Sequence, residues 1–208
     1  MENMEKLTWE IWKQKDMGKA LLIGGILFYV PVLNLLLMGY YGRWVRQLVL
    51  NKGMELPEWG DGRTLLEELV KVFVPMLVWG FLPILLAGML FWAISGFLIF
   101  MHLGFFAMTV ALLPLAIVAL LCPPAVTVAL IRLYRTDQIQ ETLAVTDIIR
   151  TVIRHLKPAL FPLFQYYGIL ALGWPLIGFA SFLATLPLFA QLILIYRGAD
   201  EDLKSSVN

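Results

Sequence analysis

Charged positions are gathered into four islands along the chain, residues 1 to 19, 43 to 71, 132 to 157 and 197 to 208. Three uncharged, dominantly apolar stretches separate them: Ala20 to Gly42 (23 residues), Val72 to Ile131 (60 residues) and Pro158 to Tyr196 (39 residues). A helix needs about 20 apolar residues to cross bilayer hydrocarbon, so these lengths predict one, two and two crossings. Backbone amides in hydrocarbon must be satisfied within the helix itself. The pattern therefore predicts an all-α, polytopic membrane bundle of about five transmembrane helices.

Inside the islands the period changes. Thr64 with Glu67 fits a capping box, and Leu65, Leu66, Leu69, Val70 and Phe73 recur at helical spacing with Glu67, Glu68 and Lys71 on the other side. The second polar helix puts Val145, Ile148, Ile149, Val152, Ile153 and Leu156 on one face, with Asp147, Arg150, Arg154 and His155 toward water. Both are expected to lie along the membrane interface. Order along the chain also hints at a pseudo-repeat: a Pro-broken apolar helix (Pro31; Pro123 and Pro124), a basic exit (Tyr40 to Leu50; Ala125 to Arg135), a polar helix after Asp61 or Thr142, and a Pro opening the next span (Pro75; Pro158). The segments make one membrane domain over 1–208: polar 1–19, first span and interfacial helix 20–71, two spans 72–131, amphipathic 132–157, two spans 158–196 and a polar tail 197–208.

Composition agrees with a lipid environment. Hydrophobic residues make up 60% and charged residues 15%, against roughly 45–50% and about 25% in soluble domains. Cytoplasmic loops favour Lys and Arg, which puts the islands of Arg43, Arg46, Lys52, Arg63 and Lys71 and of Arg132, Arg135, Arg150, Arg154 and Lys157 inside, with the C-terminus. The uncharged turns around Ser95, Gly96 and His102 and at Gly173, Trp174 and Pro175 are then external. Five crossings leave residues 1–19 outside, yet Lys6, Lys13, Lys15 and Lys19 favour the inside. The alternative is four crossings plus a re-entrant Ala20 to Gly42 that turns at Pro31 and Asn34. That first segment is expected to be retained, because the acidic residues Glu2, Glu5, Glu10 and Asp16 before it do not fit a cleaved leader. A net charge of +1 offers no basic patch for nucleic acid.

Gly39, Tyr40 and Arg43, followed by Gly53, Glu55, Leu56, Pro57, Glu58 and Trp59 and then Asp61, resemble the motifs of a prokaryotic integral-membrane family to which no activity is assigned. Gln191 and Tyr196 fit that family's closing helix. The resemblance implies a helical protein of a prokaryotic cytoplasmic membrane and no particular chemistry. Physically, Pro57 holds Leu56 extended, Trp59 has the ring that favours headgroup level, and Glu58 and Asp61 are placed to pair with Arg43 or Arg46 as a clamp on the interfacial helix.

Candidate chemistry within the spans is sparse. His102 lies near an external turn and His155 on the opposite side, which excludes a shared haem. The lone Cys122 stands before Pro123 and Pro124 without metal-ligand spacing, and no metal or cofactor is expected. No Ser-His pair, paired intramembrane Asp or phosphate-cradling Gly loop is present, so no catalytic residue is assigned. Asn34, Gln165 and Gln191 are the intramembrane polar candidates for a midplane site of a repeat-built transporter or channel. Thr109, Thr127, Ser181 and Thr185 read as interhelical hydrogen bonds. Small pairs at four-residue spacing (Ala125/Ala129, Ala180/Ala184) suit close packing or a homo-oligomer. Trp9, Trp12, Trp44, Trp59 and Trp174 suit interfacial belts, and Trp79 and Trp92 suit lipid or an apolar groove. Arg150, Arg154 and Lys157 are the candidates for lipid headgroups. The expected function is a non-catalytic, lipid-interacting or accessory membrane protein with membrane lipids or a larger membrane complex as partners.

Overall fold

The computed structural model describes residues 2–59, 62–102 and 104–205. Among the described residues the regular structure is helical throughout: α1 Glu2–Trp12, α2 Met17–Phe28, α3 Pro31–Val49, α4 Gly62–Met76, a π-helical turn Leu77–Phe81, α5 Leu82–Phe100, α6 Gly104–Thr136, α7 Val145–Arg154, α8 Leu156–Leu172 and α9 Ile177–Ser205. Short 3-10 turns at Ile139–Leu143 and Trp174–Leu176 precede α7 and α9.

Three helical segments are long and apolar enough to cross a membrane: Gly62–Phe100, Thr109–Thr136 and Trp174–Gly198. This marks a membrane-embedded protein. The other two of the five expected crossings take a different form. Helix α8 has 17 residues, at the lower limit of about 17 for a span. Ala20 to Gly42 is not one helix, because α2 stops at Phe28 and α3 starts at Pro31. At 1.5 Å per residue the 12-residue α2 is about 18 Å long, short of the roughly 30 Å of hydrocarbon.

These two helices form a hairpin against α9. Gly24 and Gly25 of α2 face Phe182 and Phe179, and the Tyr29 hydroxyl accepts from the Gly178 amide (3.1 Å). Along α3 the partners run the other way: Tyr40 tilts against Phe182, and the Trp44 indole donates to the Leu186 carbonyl (3.3 Å). The break at Tyr29 and Val30 falls just before the expected turn residues Pro31 and Asn34. As a result residues 13–16 and the loop after α3 lie at the same end of the bundle: the Gln14 side chain donates to the Met54 carbonyl (2.6 Å) and accepts from the Leu56 amide (3.0 Å).

Helices α5 and α6 form the second hairpin. Its turn carries His102 at φ 59°, and α5 runs on through Ser95 and Gly96, where the turn was expected to begin. Most large side chains of α5 are exposed, among them Trp92, Phe97 and Phe100, as a lipid-facing helix requires. The lower half of α6 is the centre of the core, with Ala129, Leu130 and Ile131 sealed against Tyr40, Trp44, Leu186 and Leu192. Trp44 is therefore a core residue, completely buried, and not the interfacial anchor expected of it.

The break expected at Pro31 is present, since α3 starts there, whereas the one expected at Pro123 and Pro124 is absent: α6 continues through Pro114, Pro123 and Pro124, as α9 does through Pro187. A proline removes the donor for the carbonyl four residues earlier. For Pro123 that carbonyl is Ala119, which accepts the Tyr167 hydroxyl of α8 (2.6 Å). For Pro187 it is Leu183, which accepts the Trp12 indole of α1 (3.3 Å). Neighbouring helices re-satisfy the freed groups, which is how membrane helices tolerate proline.

Candidate functional site

The motif around α3 is a packing device. A Cβ on Gly39 would lie 2.1 Å from the Leu65 carbonyl oxygen, and one on Gly42 would strike Val72, so these glycines let α3 and α4 cross at backbone contact. Tyr40 stacks flat on Trp59, with ring centroids 4.1 Å apart and planes 12° apart. Arg43 donates to Thr64 Oγ1 (3.3 Å) and to the Glu58 main-chain carbonyl (3.4 Å). The expected clamp exists in another form, because Arg43 holds the loop by its backbone and the Glu58 side chain is turned to water. Pro57 is buried and Leu56 half-buried beneath Gln14. Asp61 lies outside the described residues.

Arg46 finds its carboxylate elsewhere. It pairs with Glu68 of α4, whose other oxygen accepts the Tyr134 hydroxyl of α6 (3.0 Å). Glu68 is 5% exposed, which reverses its expected position on the wet side of α4. The buried face is Leu65, Glu68, Val72 and Pro75, while Leu66, Val70 and Phe73 point outward. The charged residue is inside because the arginine and tyrosine that satisfy it come from two other helices, a requirement for burying a charge. Thr64 is likewise not an N-cap, since α4 starts at Gly62.

Of the intramembrane polar candidates, the fold brings two together. Gln191 donates to Gln165 Oε1 (3.1 Å) and Thr8 Oγ1 (2.7 Å), and also to the Met4 carbonyl (3.1 Å). Thr8, from the N-terminal helix, takes the place expected for Asn34. Asn34 sits in the first turn of α3 near the hairpin tip, and by helical rise it stands about 20 Å along the bundle from Gln191. The Gln191 Oε1 atom is buried without a hydrogen-bond partner. This cluster ties α1, α8 and α9 together.

Helix α7 is different. Ile148, Thr151 and Val152 are buried, whereas Val145, Ile149 and Ile153, also one turn apart, are 43–60% exposed. One apolar face is used by the fold and a second is left outside. On its flank, Arg150 and Arg154 join Val145, Thr146, Ile149 and Ile153 around a shallow trough. Arg150 reaches Asp147 at 4.0 Å in a pair whose members are both more than half exposed, worth little in water. Lys157, in the first turn of α8, is exposed and outside the trough.

The other side of the Ile149–Ile153 ridge drops into a crevice of about 190 Å³ with a wholly apolar wall, made by Trp79 of the π turn, Pro83 at the start of α5 and Val118, Leu121, Cys122 and Ala125 of α6. Trp79 is held there by donating its indole N–H to the Thr142 carbonyl (2.7 Å). The π turn Leu77–Phe81 sits immediately before Pro83, which cannot donate to the Trp79 carbonyl four residues back; widening the helix accommodates the ring. Such π turns recur at functional sites. Trp79 could be assigned to either lipid or a groove from its position in the sequence, and the groove is where it lies. Glu68, Tyr134, Gln14 and Thr8 were not singled out as site residues, because their partners are 22 to 183 positions away.

Comparison with known families adds one relationship. The model of a family described as a protein of unknown function (DUF4013) matches residues 23–193. The chain belongs to the DUF4013 family. In this DUF4013 protein the matched region takes in the α2–α3 hairpin, the α3–α4 crossing, the crevice and Gln191, and leaves α1 and the polar tail outside it. No curated protein and no solved structure matches the chain.

Proposed function

We propose that this protein is a non-catalytic integral membrane protein that holds anionic lipid at its basic end, as an accessory or scaffold component of a membrane assembly. The second, unpartnered apolar face of α7 beside Arg150 and Arg154 carries the reading. A soluble helix keeps one apolar stripe and a polar remainder. A helix buried on one face by its own protein and still apolar on the next lies naturally at a bilayer surface, its arginines among the phosphates.

In this reading the islands at 43–71 and 132–157 face the cytoplasm together with residues 1–19 and the C-terminus. The buried ion pair and polar clusters hold helices in place and perform no reaction. Each Arg near an anionic leaflet contributes about 1 kcal/mol, so losing two weakens association about thirty-fold. The test is native mass spectrometry of the protein released in mild detergent from its own membrane, beside Arg150→Glu with Arg154→Glu. Wild-type protein retaining anionic phospholipid that the double variant lacks supports the reading. Equal retention, or wild-type protein with no lipid, overturns it.

A further inference from the structure

We propose that the crevice beside α7 is a binding site for one acyl chain of an anionic phospholipid whose headgroup sits on Arg150 and Arg154. This rests on the lipid-holding reading above and goes beyond surface adsorption to a defined site. Three observations carry it. The crevice and the arginine trough are adjacent and share Ile149 and Ile153, so a molecule with an apolar tail and an anionic head can lie across that ridge and fill both.

The wall decides what enters. No polar group lines it, so water would find none of the two to four partners it needs. Taking the liquid share of one water, about 30 Å³, as a yardstick, 190 Å³ holds roughly six methylene-sized groups. A helix with side chains is about 10–12 Å across and does not fit, which argues against a partner helix or a second copy of the chain. Along α6 the lining from Ile117 to Ala125 extends about 12 Å, an elongated shape suited to a single chain.

The crevice is also held open. Trp79 is fixed to Thr142 by its indole N–H, and Pro83 and the π turn fix the helix above it. Beside Pro83, the exposed face of α5, with Leu82, Leu86 and Leu90, continues the apolar surface and gives the lipid's second chain a place to lie.

Cys122, the protein's single cysteine, lines the crevice and reports on its occupancy. The experiment follows the rate of Cys122 modification by N-ethylmaleimide in delipidated full-length protein in micelles, alone and with equal amounts of added phosphatidylglycerol or phosphatidylcholine. We expect phosphatidylglycerol to slow the reaction at least threefold relative to phosphatidylcholine, and Arg150→Glu with Arg154→Glu to remove that difference. A rate that is the same in all three conditions overturns the proposal, and so does equal protection by the two lipids. Val118→Trp, which fills the crevice from a half-buried position, separates the two levels. Loss of retained phosphatidylglycerol in its native mass spectrum, with binding to anionic vesicles kept, supports the acyl-chain site. Undiminished retention overturns that site and leaves adsorption by the arginines standing, whereas loss of selectivity in neither variant removes both.

Discussion

At the scale of single residues, the fold depends on contacts that admit no enlargement and on polar groups with remote partners. Gly39→Ala would push a methyl into the Leu65 carbonyl, 2.1 Å away. Overpacking of this kind costs about 1–3 kcal/mol, to be seen as a lower thermal midpoint in detergent. Gly18→Ala, with nothing within 4 Å, is the control and should cause no loss. Glu68→Leu leaves Arg46 and Tyr134 without their acceptor. Because the Arg46 side chain is 42% exposed and can turn to water, the expected loss is about 2 kcal/mol and not the 3–5 of a fully buried pair. Tyr134→Phe, which removes one hydrogen bond to a charged group, costs about 1.5–3 kcal/mol. If both variants melted with the wild type, the Arg46–Glu68–Tyr134 cluster would have no structural role. Gly39, Tyr40, Arg43 and Trp59 stood out in the sequence because their types are unusual at the end of an apolar run. Glu68 did not, since burial of a carboxylate is decided by residues 22 and 66 positions away.

Among the elements, α1 makes side-chain hydrogen bonds to α9 that can be tested by themselves. Thr8→Val takes from Gln191 its closest acceptor, while Leu7 and Ile11 keep their buried seats. The expected loss is about 1–2 kcal/mol, concentrated in α1. Hydrogen exchange should quicken by roughly tenfold over residues 4–12 and stay unchanged in α9, and equal acceleration in both helices would mean that the cluster supports the whole bundle instead. Helix existence was legible here because long uncharged runs admit few alternatives, as the α8–α9 turn at Gly173 to Pro175 shows. The faces of α4 were misassigned, since apolar periodicity cannot distinguish a face turned to protein from one turned to lipid when both are apolar. The same ambiguity hid the double face of α7. Proline marked a real helix start at Pro31 but misled at Pro123, because the Tyr167 group that stabilises a continuous helix there comes from elsewhere in the chain.

For the whole molecule, the hairpin in place of a first crossing predicts sidedness. In a Cys122→Ser background, Lys13→Cys, Lys52→Cys and Arg154→Cys should all react with an impermeant maleimide from one face of the membrane, and Met101→Cys from the other. Labelling of Lys13→Cys opposite to Lys52→Cys would restore a full first span. The hairpin has a second consequence, for the order of assembly. Gly24 and Gly25 are shaped to receive Phe182 and Phe179, and Trp12 donates to Leu183. All of these partners lie in α9, which is synthesised long after α1 and α2. The first thirty residues emerge from the ribosome about 150 positions before their seat exists, and non-local contacts of that separation form late. Helices α1 and α2 are thus made well before the helix that seats them, and their docking is expected to wait for α9.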